Sequence, residues 1–123
     1  MDTSYKYWDI YNKALDRYKS GKFEEAKEGF LKLTEYDSPS PSAHIMLMRT
    51  YRKIIGRLIE VGDYEKALST LDNYFQNCPN QVTDTDRKKY NQVIDTLSKS
   101  DPKLKAKKLN ISKRKTSTQS IWY

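Results

Sequence analysis

Two glycine-centred hexamers, 41 residues apart, constrain this chain more than any other feature. The first reads Gly21-Lys22-Phe23-Glu24-Glu25-Ala26 and the second Gly62-Asp63-Tyr64-Glu65-Lys66-Ala67. Each is followed by an apolar stripe at helical spacing: Phe23, Ala26, Phe30 and Leu33 in one copy, Tyr64, Ala67, Leu71 and Tyr74 in the other. Each is preceded by another periodic segment, Ser4 to Ser20 and Ser42 to Val61. The unit is therefore helix, tight glycine turn, helix. A turn this short needs a residue with φ > 0, which glycine tolerates. The aromatic two residues later can pack back on the preceding helix, and the small Ala three further on lets the helices approach. The copies end at Asp37-Ser38 and at Cys78-Pro79.

Gly-x-aromatic-x-x-Ala, followed four residues on by an apolar residue, resembles the tetratricopeptide repeat (TPR) family. The resemblance covers about residues 4 to 80. The second copy has Asp63 as N-cap and Pro79 as a stop. The first departs from the pattern, since Lys22 cannot cap and Ser38 stands where the family has proline. The period also exceeds the usual ~34 residues, and the excess lies between the copies. Ser40-Pro41 is a good helix start, so the excess reads as extra turns at the front of one unbroken third helix, Ser42 to Val61. A fifth helix is expected from about Thr85 to Ser98, with Tyr90, Val93, Ile94 and Leu97 on its dry face, suited to capping the stack. Pro102 should end it. The expected fold class is thus all-α: a right-handed TPR-like solenoid of five helices over residues 1–100, with a basic tail over residues 101–123 that is disordered or ordered by a partner.

The net charge of +7 is unevenly placed. Residues 1–100 carry 16 Lys/Arg and 15 Asp/Glu, whereas residues 101–123 carry 7 and 1. The basic character therefore belongs to the tail: Lys103, Lys105, Lys107, Lys108, Lys113, Arg114 and Lys115. Such a segment can neutralise phosphates, serve as a nuclear-import signal at Lys113-Arg114-Lys115, dock on an acidic protein, or merely solvate the terminus. Nucleic acid is accordingly a candidate partner of the tail alone.

Chemistry-bearing constellations are missing from the sequence. There is one Cys, Cys78, and one His, His44, so neither an internal disulfide nor a clustered metal site is expected. No carboxylate pair, Ser/His set or phosphate-cradling glycine loop stands out. The expectation is a non-enzyme with no cofactor, no metal and no small-molecule substrate. No run approaches the ~18 apolar residues of a membrane span, and Met1 to Asp9 has no apolar signal core. An intracellular protein, cytoplasmic or nuclear, with no membrane partner is expected.

Binding residues are expected on the first helix of each hairpin. The family resemblance implies a concave groove lined by those helices that takes short extended peptides, and it places Arg49, Arg52 and Lys53 on that groove. The same face equally reads as a solvated helix side whose charges pair with acids such as Asp9 and Asp16. Family members that clamp a chaperone's C-terminal carboxylate use a Lys and two Asn; the nearest positions here hold Tyr11, Leu15 and Lys53, so the clamp is absent. The first helix is crowded with Tyr5, Tyr7, Trp8, Tyr11 and Tyr18. In one register Trp8, Tyr11, Leu15 and Tyr18 line the groove. In the other, Tyr11, Ala14, Leu15 and Tyr18 are core, and Asp9, Asn12, Asp16 and Lys19 face a ligand. Tyr7, Trp8, Tyr11 and Asn12 are the candidate contacts for a protein partner or for self-association through this helix.

Overall fold

The computed structural model describes residues 3–36 and 42–111. Those residues form five α-helices and one 3-10 helix, with no strand among them. The helices are α1 (Thr3–Lys19), α2 (Phe23–Leu33), α3 (Ser42–Glu60), α4 (Tyr64–Asn77) and α5 (Asp84–Leu97), followed by the 3-10 helix Pro102–Lys107. The chain divides into two compact units, residues 1–81 and 82–123. The division falls between α4 and α5, whereas the charge asymmetry of the sequence places its boundary at residues 100/101.

In the first unit each helix packs on the next, α1 on α2, α2 on α3 and α3 on α4. Both hairpin turns rest on glycine: Gly21 has φ of +79° and Gly62 of +81°. Asp63 accepts a hydrogen bond from the Lys66 backbone N–H at 3.3 Å, so α4 has the N-cap its sequence suggests. Lys22 offers α2 no such bond. Glu24 and Glu25 instead place negative charge at the first turn, where the helix dipole favours it.

The 19-residue helix α3 runs unbroken through Gly56. Its wide buried face is Ala43, Met46, Leu47, Thr50, Tyr51, Ile54 and Ile55, and burying that area outweighs the roughly 1 kcal/mol that a helical glycine costs. Thr50 is fully buried because its hydroxyl donates to the Met46 carbonyl at 2.7 Å. The proposed helix start at Ser40-Pro41, and the end of the first copy at Asp37-Ser38, lie outside the described residues.

The first hairpin closes more tightly than its stripe requires. A Cβ on Gly29 of α2 would lie 2.8 Å from the Ala14 Cβ of α1. Ala14, Ala26, Phe30 and Leu33 are buried around this crossing. In the second hairpin, where α3 packs on α4, Tyr51, Ile55, Ala67, Leu71 and Tyr74 are buried, the Tyr51 and Tyr74 rings lie 5.7 Å apart, and polar ties finish the packing. Asn77 Nδ2 donates to the Tyr51 hydroxyl at 2.8 Å, and the Tyr74 hydroxyl donates to the Gln81 carbonyl at 3.2 Å.

In the second unit α5 begins at Asp84, one residue before the expected start at Thr85. The Thr83 hydroxyl accepts from the Asp86 N–H, and the Asp86 carboxylate accepts from the Thr83 N–H, a reciprocal capping box. The chain then departs from the expected disorder. Pro102 does not merely stop α5; it opens the 3-10 helix. Beyond it, Asn91 grips the Leu109 backbone: its Nδ2 donates to the carbonyl at 2.8 Å, and its Oδ1 accepts from the N–H at 2.7 Å. Lys108 pairs with Asp95 at 3.1 Å. These bonds, with half-buried Leu104 and Leu109, order the basic segment as far as Ile111. Residues 112–123, including Lys113, Arg114 and Lys115, lie outside the described residues.

Candidate interaction site

On α1 the structure separates two neighbouring candidates. Tyr7 is only 6% exposed, whereas Trp8 is 47% exposed. Successive residues of a helix point about 100° apart, so one of such a pair must turn away once the other is buried. Tyr7 lies among rings, 5.0 Å from Trp8 and 6.3 Å from both Tyr11 and Tyr36, centroid to centroid. Trp8 meets Tyr11 edge-on at 5.2 Å, and Tyr11 meets Phe30 of α2 at 5.6 Å. The indole is therefore braced from below by tyrosines that are themselves anchored in the core. Of the packing alternative's core residues Ala14 is buried while Tyr11, Leu15 and Tyr18 are half-buried, and Asp9, Asn12, Asp16 and Lys19 are exposed. Asp9 forms its ion pair within α1, with Lys13 at 3.3 Å. The Tyr7 hydroxyl is buried and has no hydrogen-bond partner among the described residues.

On α3, Arg49, Arg52 and Lys53 are all exposed. Arg52 and Lys53 border an open hollow of about 370 Å³ together with Phe23, Gly56, Arg57 and Glu60. A second hollow of similar size adjoins it, lined by Phe23, Glu24, Ile54, Arg57 and Leu58 among others. Arg57 stands between them. Its guanidinium lies 4.5 Å above the Phe23 ring, and Nη1 donates to the Gly21 carbonyl at 3.3 Å. Arg57 thus ties α3 to the first glycine turn and is not a free member of the basic row. Arg49 does not line either hollow. The structure therefore groups Tyr7, Trp8 and Tyr11 in one cluster and Arg52 with Lys53 in another. Asn12 is exposed on α1.

Other chemistry is sparse. Burial pushes the Cys78 thiol up to about 12, so it stays protonated at neutral pH. Its sulfur lies 4.0 Å from the His44 carbonyl. Among the described residues no group of His, Cys, Asp and Glu could hold a metal ion, and no helix is long and apolar enough to cross a membrane. In the second unit, Lys103, Lys105, Lys107 and Lys108 are exposed on and just after the 3-10 helix.

Sequence reasoning missed three features. Nothing local marks Arg57 as a tie, because its partners Gly21 and Phe23 are more than thirty residues away in sequence. The Gly29–Ala14 contact gives no sequence signal beyond a glycine inside a helix. Thr83-x-x-Asp86 was legible as a capping box, but the apolar stripe begins later and drew the expected start to Thr85. Comparison with known protein families, characterised proteins and solved structures gave no match.

Proposed function

We propose that this chain is a non-enzymatic interaction scaffold: a right-handed, TPR-like stack of two helical hairpins that holds a protein partner through α1 and α3, with the basic C-terminal region as a second anchor. The observation that carries the reading is Trp8. A tryptophan 47% exposed and propped on Tyr7 and Tyr11 is a rigid apolar anchor, the kind of group that dominates protein interfaces. Packing has already fixed much of its rotamer freedom, so little ordering remains for binding to impose. Arg49, Arg52 and Lys53 supply the charged complement on α3, suited to an extended peptide carrying acidic groups. Two glycine-turned hairpins in sequence, each helix on the next, support the TPR-like reading.

The test is site-specific photocrosslinking in cells. A benzophenone residue at position 8 should give discrete adducts, either with another protein or with a second copy. The same group at Ser69, exposed on α4, should give few. Adducts at Ser69 as abundant as those at position 8 would overturn the reading.

A further inference from the structure

The second unit carries the basic surface that the scaffold reading uses only as a second anchor, without naming what it holds. Residues 82–111 hold eight Lys/Arg and four Asp. Three of those acids are engaged within the unit. Asp84 pairs with Arg87 at 2.9 Å, Asp86 closes the capping box, and Asp95 pairs with Lys108 at 3.1 Å. The remaining cations, Lys88, Lys89, Lys99, Lys103, Lys105 and Lys107, are exposed and enter no ion pair among the described residues.

These lysines are not strung on a loose tail. The segment after the 3-10 helix runs back along α5, with Lys108 at Asp95 and Leu109 at Asn91. Lys88 lies one turn before Asn91, on the same side of α5 by helical register. A 3-10 helix rises ~2 Å per residue with about three residues per turn, so Lys103, Lys105 and Lys107 fall within about 10 Å along the 3-10 helix that precedes the returning segment and project from it in different directions. Two basic elements are thereby held side by side by the Asn91 side chain.

The composition of this surface selects its ligand. The large apolar side chains exposed in the described chain are Trp8, Ile45 and Val61, none of them in residues 82–111. A protein interface of useful strength needs such anchors, whereas a phosphate backbone does not. The one aromatic in residues 82–111, Tyr90, is 5% exposed, so no ring is offered for stacking unpaired bases. We propose that residues 82–111 form a folded surface for the phosphate backbone of duplex nucleic acid. It reads no sequence, and Asn91 is the positioning residue that holds its two halves together. The proposal goes beyond the scaffold reading and stands independently of Trp8.

The experiment is fluorescence anisotropy of the full chain with two labelled 24-base-pair duplexes of unrelated sequence. The two should bind within about twofold of each other. If four phosphates are neutralised, affinity should fall on the order of a hundredfold between 50 and 200 mM KCl. The triple variant Lys103→Gln, Lys105→Gln, Lys107→Gln should flatten the log–log salt slope by about 2.7. Asn91→Ala, which changes no charge, should weaken binding severalfold with far-UV circular dichroism unchanged. An unchanged salt slope in the triple variant would place binding elsewhere and overturn the proposal. So would poly-glutamate of equal charge competing as well as duplex, which would make the ligand an acidic polypeptide. Unaltered affinity in Asn91→Ala would overturn the positioning role, and the triple variant decides the surface separately.

Discussion

Residues 1–81 carry 12 Lys/Arg against 12 Asp/Glu, whereas residues 82–123 carry 11 against 4. All of the chain's net charge therefore sits in the second unit. The two units are also held together differently. The first is closed by large side chains, with Phe30, Leu33, Leu47, Tyr51 and Tyr74 at or near zero exposure. In the second, one helix buries Tyr90, Val93 and Ile94, and the returning segment is tied down by a single Asn side chain and one ion pair. A neutral unit can spend its surface on specific contacts. A strongly basic one gains association rate and phosphate affinity instead, at the expense of repulsion among its own lysines.

The largest effect should come from emptying the first unit's core. Phe30 is fully buried and meets Tyr11. Phe30→Ala should destabilise the first unit by about 3–5 kcal/mol and remove the support beneath Trp8. Urea unfolding followed by Trp8 fluorescence, in a Trp122→Phe background, measures it. A loss below about 1 kcal/mol would show that the two units do not differ in packing as described.

Alkaline pH should also weaken the first unit, through Cys78. The folded thiol titrates at about 12 and the unfolded one near 9.0. Between those values the unfolded state has released a proton that the native state keeps, so stability is full below about pH 9 and falls as pH rises. From pH 8 to 10.5 the stability of the wild type should drop by about 2 kcal/mol more than that of Cys78→Ala. Parallel pH profiles would mean that the thiol is not sequestered.

A pair of glycine substitutions probes the same unit more finely. Gly56→Ala meets open space and should stabilise α3 by up to ~1 kcal/mol. Gly29→Ala gains the same helical preference but sets its Cβ 2.8 Å from the Ala14 Cβ. Neither atom can swing aside, so the helices must part, and overpacking of this sort costs about 1–3 kcal/mol. Thermal midpoints of the two variants should move in opposite directions. Movement in the same direction would mean that α1 and α2 are less closely seated.

Much of the first unit was legible in the sequence because helical hairpins announce themselves locally. Gly21 and Gly62 mark reversals, Asp63 a start, and apolar spacing the buried faces, all within a few residues. The register of α1 was not legible, because Tyr7 and Trp8 are both large aromatics one position apart. The contact that fixes it, Ala14 against Gly29, belongs to a different helix. The second unit was less legible for a related reason. A Lys-rich stretch with weak apolar content reads as disorder, and the bonds that order it come from Asn91, 18 residues before its partner. One asparagine makes no periodic pattern. As for the candidate site, the sequence marked Trp8, Arg52 and Lys53 as surface groups, but it did not separate Tyr7 from Trp8 or reveal Arg57 as a tie.

The smallest effect on global stability should come from that same asparagine. Asn91 makes its two bonds to Leu109, and both partners belong to the second unit. Asn91→Ala removes a donor and an acceptor from half-buried positions, where solvent can reach the freed Leu109 groups. The net worth of each bond is about 0.5–1.5 kcal/mol. That loss is local, since both bonds lie within the second unit. The thermal midpoint followed by Trp8 should therefore stay within about 1 °C of wild type. Amide exchange should report the change instead, with protection at Leu109 falling roughly tenfold while Leu47 and Leu71 keep theirs. The outcome that breaks the comparison is a midpoint drop comparable to that of Phe30→Ala, for then the two units would unfold as one and their different ways of cohering would not be separable. Unchanged protection at Leu109 would break it from the other side, by showing that packing of Leu104 and Leu109, and not the Asn91 side chain, holds the basic segment to α5.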